Sequence, residues 1–233
     1  MRFRPYAAIL VFFLGTLGCS QSQLPLVRLP AEAPGKTYLA IIISGDGGWA
    51  HIDQELARYL GQEGIPTLGL NSLRYFWVAR SRIEIGAALT TMLERADQMW
   101  PNRKFILIGF SRGANVLPFM VEELSDPLRQ RITRIALLSP AKATAFEFRV
   151  QDWWTNRPPA EALPLLPALK KLKGIDLLCL YGQEDQETIC PDLDPAVAKV
   201  MVFPGGHHLD SEYAEVVREI LKGLPETSLL SSD

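Results

Sequence analysis

Three short segments hold the residue types that an activated-serine mechanism needs. Gly109-Phe110-Ser111-Arg112-Gly113 is a G-x-S-x-G. A serine hydroxyl is a weak nucleophile at neutral pH and attacks an acyl carbon only when a neighbouring base takes its proton. Histidine is the commonest base for this work, and the chain has three: His51, His207 and His208. A carboxylate must then hold the imidazole in the correct tautomer and stabilise the imidazolium. The segment Leu178 to Asp185 (LCLYGQED) supplies Asp185, with Glu184 and Glu187 close enough in sequence to compete and a solvated acidic loop as the plain alternative. Together these groups would carry out acyl transfer to a serine and then to water.

The motif alone is weak, since average composition produces it by chance in roughly one chain of this length in ten. Its surroundings strengthen it. Phe105 to Gly109 is an apolar run of strand length, and Ala114 to Leu124 is apolar nearly all round, as in a buried helix. Ser111 therefore stands at a strand-to-helix turn, where helix N-terminal amides and the dipole favour developing negative charge. The alternative is a glycine-flanked serine that caps a helix. Other strand-length runs are Tyr38–Ser44, Pro66–Leu70, Ile132–Leu138, Ile175–Tyr181 and Val200–Phe203. Helical spacing covers Ile52–Glu63, Ser81–Met99 and Leu209–Leu221. Strands alternating with helices imply an α/β protein with a mostly parallel sheet and helices on both faces. Pro140 to Lys173 breaks this rhythm and reads as an excursion over one end of the sheet, with Trp153-Trp154 inside it.

The order serine, acid, histidine is that of the α/β-hydrolase fold, with a small cap or none. His51 precedes the serine and reads as a helix-surface residue. Phe203-Pro204-Gly205-Gly206-His207-His208-Leu209 is a strand end, a glycine turn, two histidines and a helix. Hydrolases often show P-G-x-x-H at this place. That spacing selects His208 as base and leaves His207 as a neighbour that packs or hydrogen-bonds nearby, the doublet keeping His207 open as the alternative. Ser44-Gly45-Asp46-Gly47-Gly48-Trp49 follows the first strong strand, where hydrolases carry His-Gly-x-Gly. The expected oxyanion donors are the backbone amides of Asp46 or Gly47 with that of Arg112. A phosphate-cradling loop would need a GK[ST] or a GxGxxG, and neither is present.

The chain has 233 residues, is 48% hydrophobic and 21% charged, and carries a formal net charge of −2. This suits one globular core and lacks the dense basic stripe of a nucleic-acid binder. Arg2 and Arg4 precede an apolar stretch, Tyr6 to Leu17, of signal-peptide length and short for a membrane span. Thr16-Leu17-Gly18-Cys19 resembles a bacterial lipobox, with Thr16 in place of the usual Leu. Lipidation of Cys19 is the expectation, and plain cleavage near Gly18 is the alternative. The expected organisation is a signal peptide over 1–18, a tether over 19–36, the domain over 37–224 and a flexible tail over 225–233. The localisation that follows is periplasmic, as a membrane-anchored lipoprotein. In an oxidising compartment Cys179 and Cys190 could form a disulfide across 11 residues and brace the acid loop, with two free buried thiols as the alternative. No spacing suggests a metal site.

SGDGGW (44–49), LNSLRYFW (70–77), IGFSRGANVLPF (108–119) and PGGHHLDSEY (204–213) together resemble the bacterial virulence protein VirJ/AcvB family, in order and over most of the chain from Tyr38 to Leu221. The resemblance implies an exported α/β-hydrolase-like protein. It also implies hydrolysis of aminoacylated phosphatidylglycerol, with removal of a lysyl or alanyl group from the lipid headgroup. Such a reaction needs no cofactor, and the partner is a membrane phospholipid. Arg74, Trp49 and His207 are the candidate substrate-binding residues, with a structural role for Arg74 equally open. Trp153 and Trp154 could lie at a lipid–water interface. Two alternatives stay open: an esterase of other lipids or small esters, and a non-catalytic accessory protein of type IV secretion with envelope or secretion-system partners.

Overall fold

The computed structural model of the chain describes residues 23–32, 37–146 and 162–225. The expected signal peptide, Cys19, Trp153, Trp154 and the tail from residue 226 lie outside the described residues.

Among the described residues, seven strands form one twisted sheet. They are β1 (Leu26–Leu29), β2 (Tyr38–Ile43), β3 (Thr67–Leu70), β4 (Lys104–Phe110), β5 (Ile132–Leu138), β8 (Asp176–Gly182) and β9 (Lys199–Phe203). Their spatial order is β1-β3-β2-β4-β5-β8-β9. Only β1 runs antiparallel; β2, β3, β4, β5, β8 and β9 pair in parallel. β1 corrects the expected tether. Leu26 to Leu29 pair with Leu70 to Thr67, so the segment ahead of the domain closes the sheet edge.

Parallel strands covered on both faces need apolar side chains at successive positions, and β2 (YLAIII) is buried at all six. Alternate residues go to opposite faces. Leu39, Ile41 and Ile43 join Phe105, Leu107, Ile135, Leu137 and Cys179 beneath helices α3 (Arg82–Met99) and α4 (Arg112–Glu122). Ala40 and Ile42 join Ile106, Ile108, Ala136 and Leu178 beneath α1 (His51–Gln62) and the last helix, α7 (Tyr213–Leu221). The helix start at Ser81 is a capping box: its hydroxyl accepts from Glu84 N–H, and Glu84 accepts from the Ser81 amide.

Three short helices were not evident from periodicity. Ser72–Tyr75 (α2) is capped by the Asn71 side chain, and Asp126–Arg129 (α5) is a single turn. Leu165–Lys171 (α6) lies within the irregular excursion and buries Leu165, Ala168 and Leu169. Also in the excursion, β6 (Ala143–Thr144) pairs with β7 (Leu163–Pro164). The closing helix starts at Tyr213 rather than Leu209, because Leu209, Asp210 and Ser211 all adopt positive φ (57°, 41° and 67°) and cannot begin a right-handed helix. Connections from β2 and β4 leave towards opposite sides of the sheet. The strand order thus reverses between β2 and β4, where such folds open a crevice at the strands' C-terminal ends.

Candidate active site

Ser111 is the residue between β4 and α4, with φ 51° and ψ −116°. A non-glycine residue is held in such a conformation only when its surroundings over-determine it. Here both flanking glycines do so. A Cβ on Gly109 would lie 2.6 Å from the backbone of Gly113 and Ala114, and one on Gly113 would lie 1.8 Å from the Ile43 carbonyl oxygen. The helix therefore starts directly against the end of β2, and the turn has no room for a side chain at either glycine. The Ser111 amide donates to Leu138 O (2.9 Å), which ties the turn to β5.

Asp185 follows β8. Its side chain is 5% exposed, and its Oδ1 accepts from the Glu187 amide (3.2 Å). Its Oδ2 lies 2.9 Å from His207 Nδ1, and His207 Nε2 lies 2.9 Å from Ser111 Oγ. These contacts make a continuous line from carboxylate to imidazole to hydroxyl. The acid is shielded while the imidazole is 44% exposed, so the far end of the line is open to a reactant.

The imidazole that bridges Asp185 and Ser111 is thus that of His207, whereas the motif spacing selects His208. The reach set by Pro204, Gly205 and Gly206 is one residue shorter than the P-G-x-x-H spacing assumes. Gly205 turns the chain with φ 85°, and the Cβ position it lacks is filled by the Asp210 carboxylate. His207 is then held by its own backbone: its carbonyl accepts from Ser139 Oγ (3.0 Å), and the Ser139 amide donates to Leu180 O. His208 instead precedes the turn Leu209–Ser211, and its ring lies 5.3 Å from that of Phe110. Burial, and then the neighbouring His207, lower its pKa below the ordinary histidine value. Ser139, itself at φ 49°, carries no motif signal; its position at the end of β5, beside the other loop-borne groups, is what brings it in.

The acid loop and the histidine loop are also packed on each other. The Glu184 amide donates to Gly205 O (2.9 Å), and a Cβ on Gly182 would lie 2.1 Å from Gly206 O. A disulfide joins Cys179 of β8 to Cys190 just beyond the acid, both fully buried.

The loop after β2 arches beside the serine, and a Cβ on Gly45 would lie 3.4 Å from Ser111 Cβ. Arg112 Nε is ion-paired with Asp46, and its Nη1 donates to Ala145 O (3.0 Å). The Arg112 side chain thus ties this loop to the serine turn, and Gly47 at the loop's tip has open space around it. Ser44 Oγ accepts from the Ser72 amide (2.9 Å), which fixes the loop to α2. Trp49 does not face the serine as a substrate wall. Its ring covers Gly69, where a Cβ would come within 2.0 Å, and it packs on the core under α1. Arg74 is exposed on α2 and lines a separate cleft with Trp77 and Arg80.

Sheet order, the serine turn and the loop-borne partners define an α/β-hydrolase-fold protein. Solved structures share that fold at low sequence identity. Est1E from Butyrivibrio proteoclasticus superposes with a TM-score of 0.60 at 16% identity, covering 84% of this chain and 89% of that one. MenH from S. aureus gives 0.61 at 14% identity, covering 84% and 97%. A monoacylglycerol lipase of Paleococcus ferrophilus gives 0.58 at 13% identity, covering 85% and 98%. No sequence match was found among curated proteins. Residues 37–228 match the family described as Bacterial virulence protein (VirJ), and the chain belongs to that family.

Proposed function

We propose that the chain is an exported serine ester hydrolase that cleaves the aminoacyl ester of aminoacylated phosphatidylglycerol. The observation that carries the hydrolase part is the Asp185–His207–Ser111 hydrogen-bonded line at the C-terminal edge of the sheet. The substrate rests on the resemblance to the VirJ/AcvB family. In this reading Ser111 Oγ attacks the ester carbonyl and passes its proton to His207 Nε2, while Asp185 accepts from Nδ1–H and stabilises the imidazolium. The oxyanion is received by the Arg112 amide and an amide of the Asp46–Gly47 loop, donors of a kind worth about 2.7–4 kcal/mol each. Collapse expels phosphatidylglycerol, whose alkoxide oxygen takes the proton from His207. Water, deprotonated by the same imidazole, then attacks the acyl-serine and releases the amino acid. No cofactor enters these steps. The proposed setting is the periplasm, with a lipid on Cys19 holding the enzyme at its membrane substrate.

The test is incubation of the purified protein and its Ser111→Ala variant with lysyl- and alanyl-phosphatidylglycerol in mixed micelles. Free amino acid released by the parent alone supports reaction, substrate and nucleophile together. If neither lipid is cleaved while Ser111 is labelled by a fluorophosphonate, the substrate is wrong and another ester is indicated. If folded protein is not labelled, the accessory-protein reading replaces the hydrolase.

A further inference from the structure

Four large apolar side chains stand exposed among the described residues, and three lie within seven positions: Trp77 (64%), Val78 (52%) and Ile83 (77%). Trp77 lines an open cleft of about 560 Å³ together with Gln23, Leu24, Arg74, Tyr75 and Arg80, among others, and among the described residues its wall holds two guanidinium groups and no carboxylate. Arg80 is braced there: Nε donates to Tyr75 O (3.1 Å), its guanidinium lies 4.7 Å from the Tyr75 ring centroid, and Glu84 approaches from the rim at 3.4 Å. Arg74 is exposed. The platform beneath is firm, because Tyr75 and Phe76 are buried and α2 is tied to Ser44.

We infer that this face, centred on Arg74, Trp77, Val78 and Arg80, docks on the surface of an anionic phospholipid bilayer. Tryptophan at an interface with arginines beside it suits a boundary that is apolar on one side and negatively charged on the other. The chain as a whole carries a formal charge of −2, so attraction to an anionic surface must come from a local group of cations. The chain also enters at this face. Gln23 is in the cleft wall, four residues beyond Cys19, a span of at most about 14 Å. A lipid on Cys19 would therefore bring this cleft, rather than the opposite edge of the sheet, to the membrane. The face is joined to the serine turn: the Arg80 amide donates to Phe146 O, and Arg112 donates to the adjacent Ala145 O. Docking here deepens the membrane-associated reading but requires no catalysis.

The test is co-sedimentation of the exported chain, carrying Cys19→Ser so that no acyl anchor contributes, with vesicles of phosphatidylglycerol and phosphatidylethanolamine or of phosphatidylcholine alone. Binding is expected to the anionic vesicles and to fall with added salt. Arg74→Gln should weaken it about fivefold, the effect of one cation near an anionic surface. Trp77→Ala with Val78→Ser should weaken it about tenfold or more, with thermal unfolding and hydrolysis of a soluble ester unchanged. Ser111→Ala must bind as the parent does, which separates docking from the hydrolase reading. Equal binding to both vesicle types, or binding indifferent to these substitutions, overturns the proposal. So does concentration-dependent dimerisation lost in the Trp77/Val78 variant without vesicle binding, which would assign the face to a second copy.

Discussion

Gly182→Ala should disable the site without touching any group in it. Gly182 ends β8, three residues before Asp185, and the backbone of the histidine loop lies directly on it. An alanine Cβ there would sit 2.1 Å from Gly206 O and 2.4 Å from Gly205 O. Ordinary van der Waals contact begins at 3.4 Å, so the carbonyl of Gly206 must retreat by about 1.3 Å, the difference between 3.4 and 2.1 Å. The flexible end of a side chain could absorb such a shift; here both opposing groups are backbone. His207 follows immediately, and its Nε2–Ser111 Oγ separation of 2.9 Å would open beyond hydrogen-bonding reach. Misplacing a catalytic group by about 1 Å costs on the order of 100-fold. Gly206→Ala is the matched control, since nothing lies within 4 Å of its added Cβ. The assay is kcat/KM on a soluble ester, with fluorophosphonate labelling of Ser111 and thermal unfolding alongside. The expected result is a loss of about 100-fold in Gly182→Ala and little change in Gly206→Ala. A Gly182→Ala enzyme within about threefold of the parent, or equal losses in the two variants, would refute the argument that loop-on-loop packing positions the base.

Further outcomes follow from the same geometry. His207→Ala should lower kcat by about 10³-fold or more, whereas His208→Ala should leave it within about tenfold, as comparison of the two variants on one ester would show. Asp53, buried in the first turn of α1 with its Oδ2 accepting from the Ala50 amide and its Oδ1 without a partner among the described residues, has its pKa raised by burial from 3.8 to about 7. The folded state then holds this proton more tightly than the unfolded chain. Stability from Asp53 is therefore full below about pH 4 and is lost as pH rises to about 7, by up to about 4 kcal/mol. Asp53→Asn should flatten that slope and raise stability at pH 8 in denaturant unfolding. Reducing Cys179–Cys190 should lower stability by about 3 kcal/mol, the value for a loop of this size, seen as a lower Tm with reductant and no shift in a double Ser variant.

The sequence by itself determined the α/β class, most element positions and the serine. Apolar runs such as YLAIII and the capped, periodic stretch from Ser81 to Met99 are local signals that tertiary packing reinforces. The G-x-S-x-G is legible because it sits between a strand-length apolar run and a buried helix; Gly109 answers a local demand, having no space for a Cβ against Gly113 and Ala114, while Gly113 answers the end of β2. Asp185 could be read from its place after a strand and a glycine. Tertiary structure brought His207, rather than His208, beside Ser111. Motif spacing counts residues, but reach is set by the positive-φ turn at Gly205 and by Ser139, 68 residues away in sequence, which holds the His207 carbonyl. It likewise moved Trp49 from the site into packing over Gly69 and turned Leu26–Leu29 from a tether into an edge strand. Both depend on a distant partner, the exposed edge and bare glycine of β3. A chain read locally cannot name that partner; only the folded sheet brings it alongside.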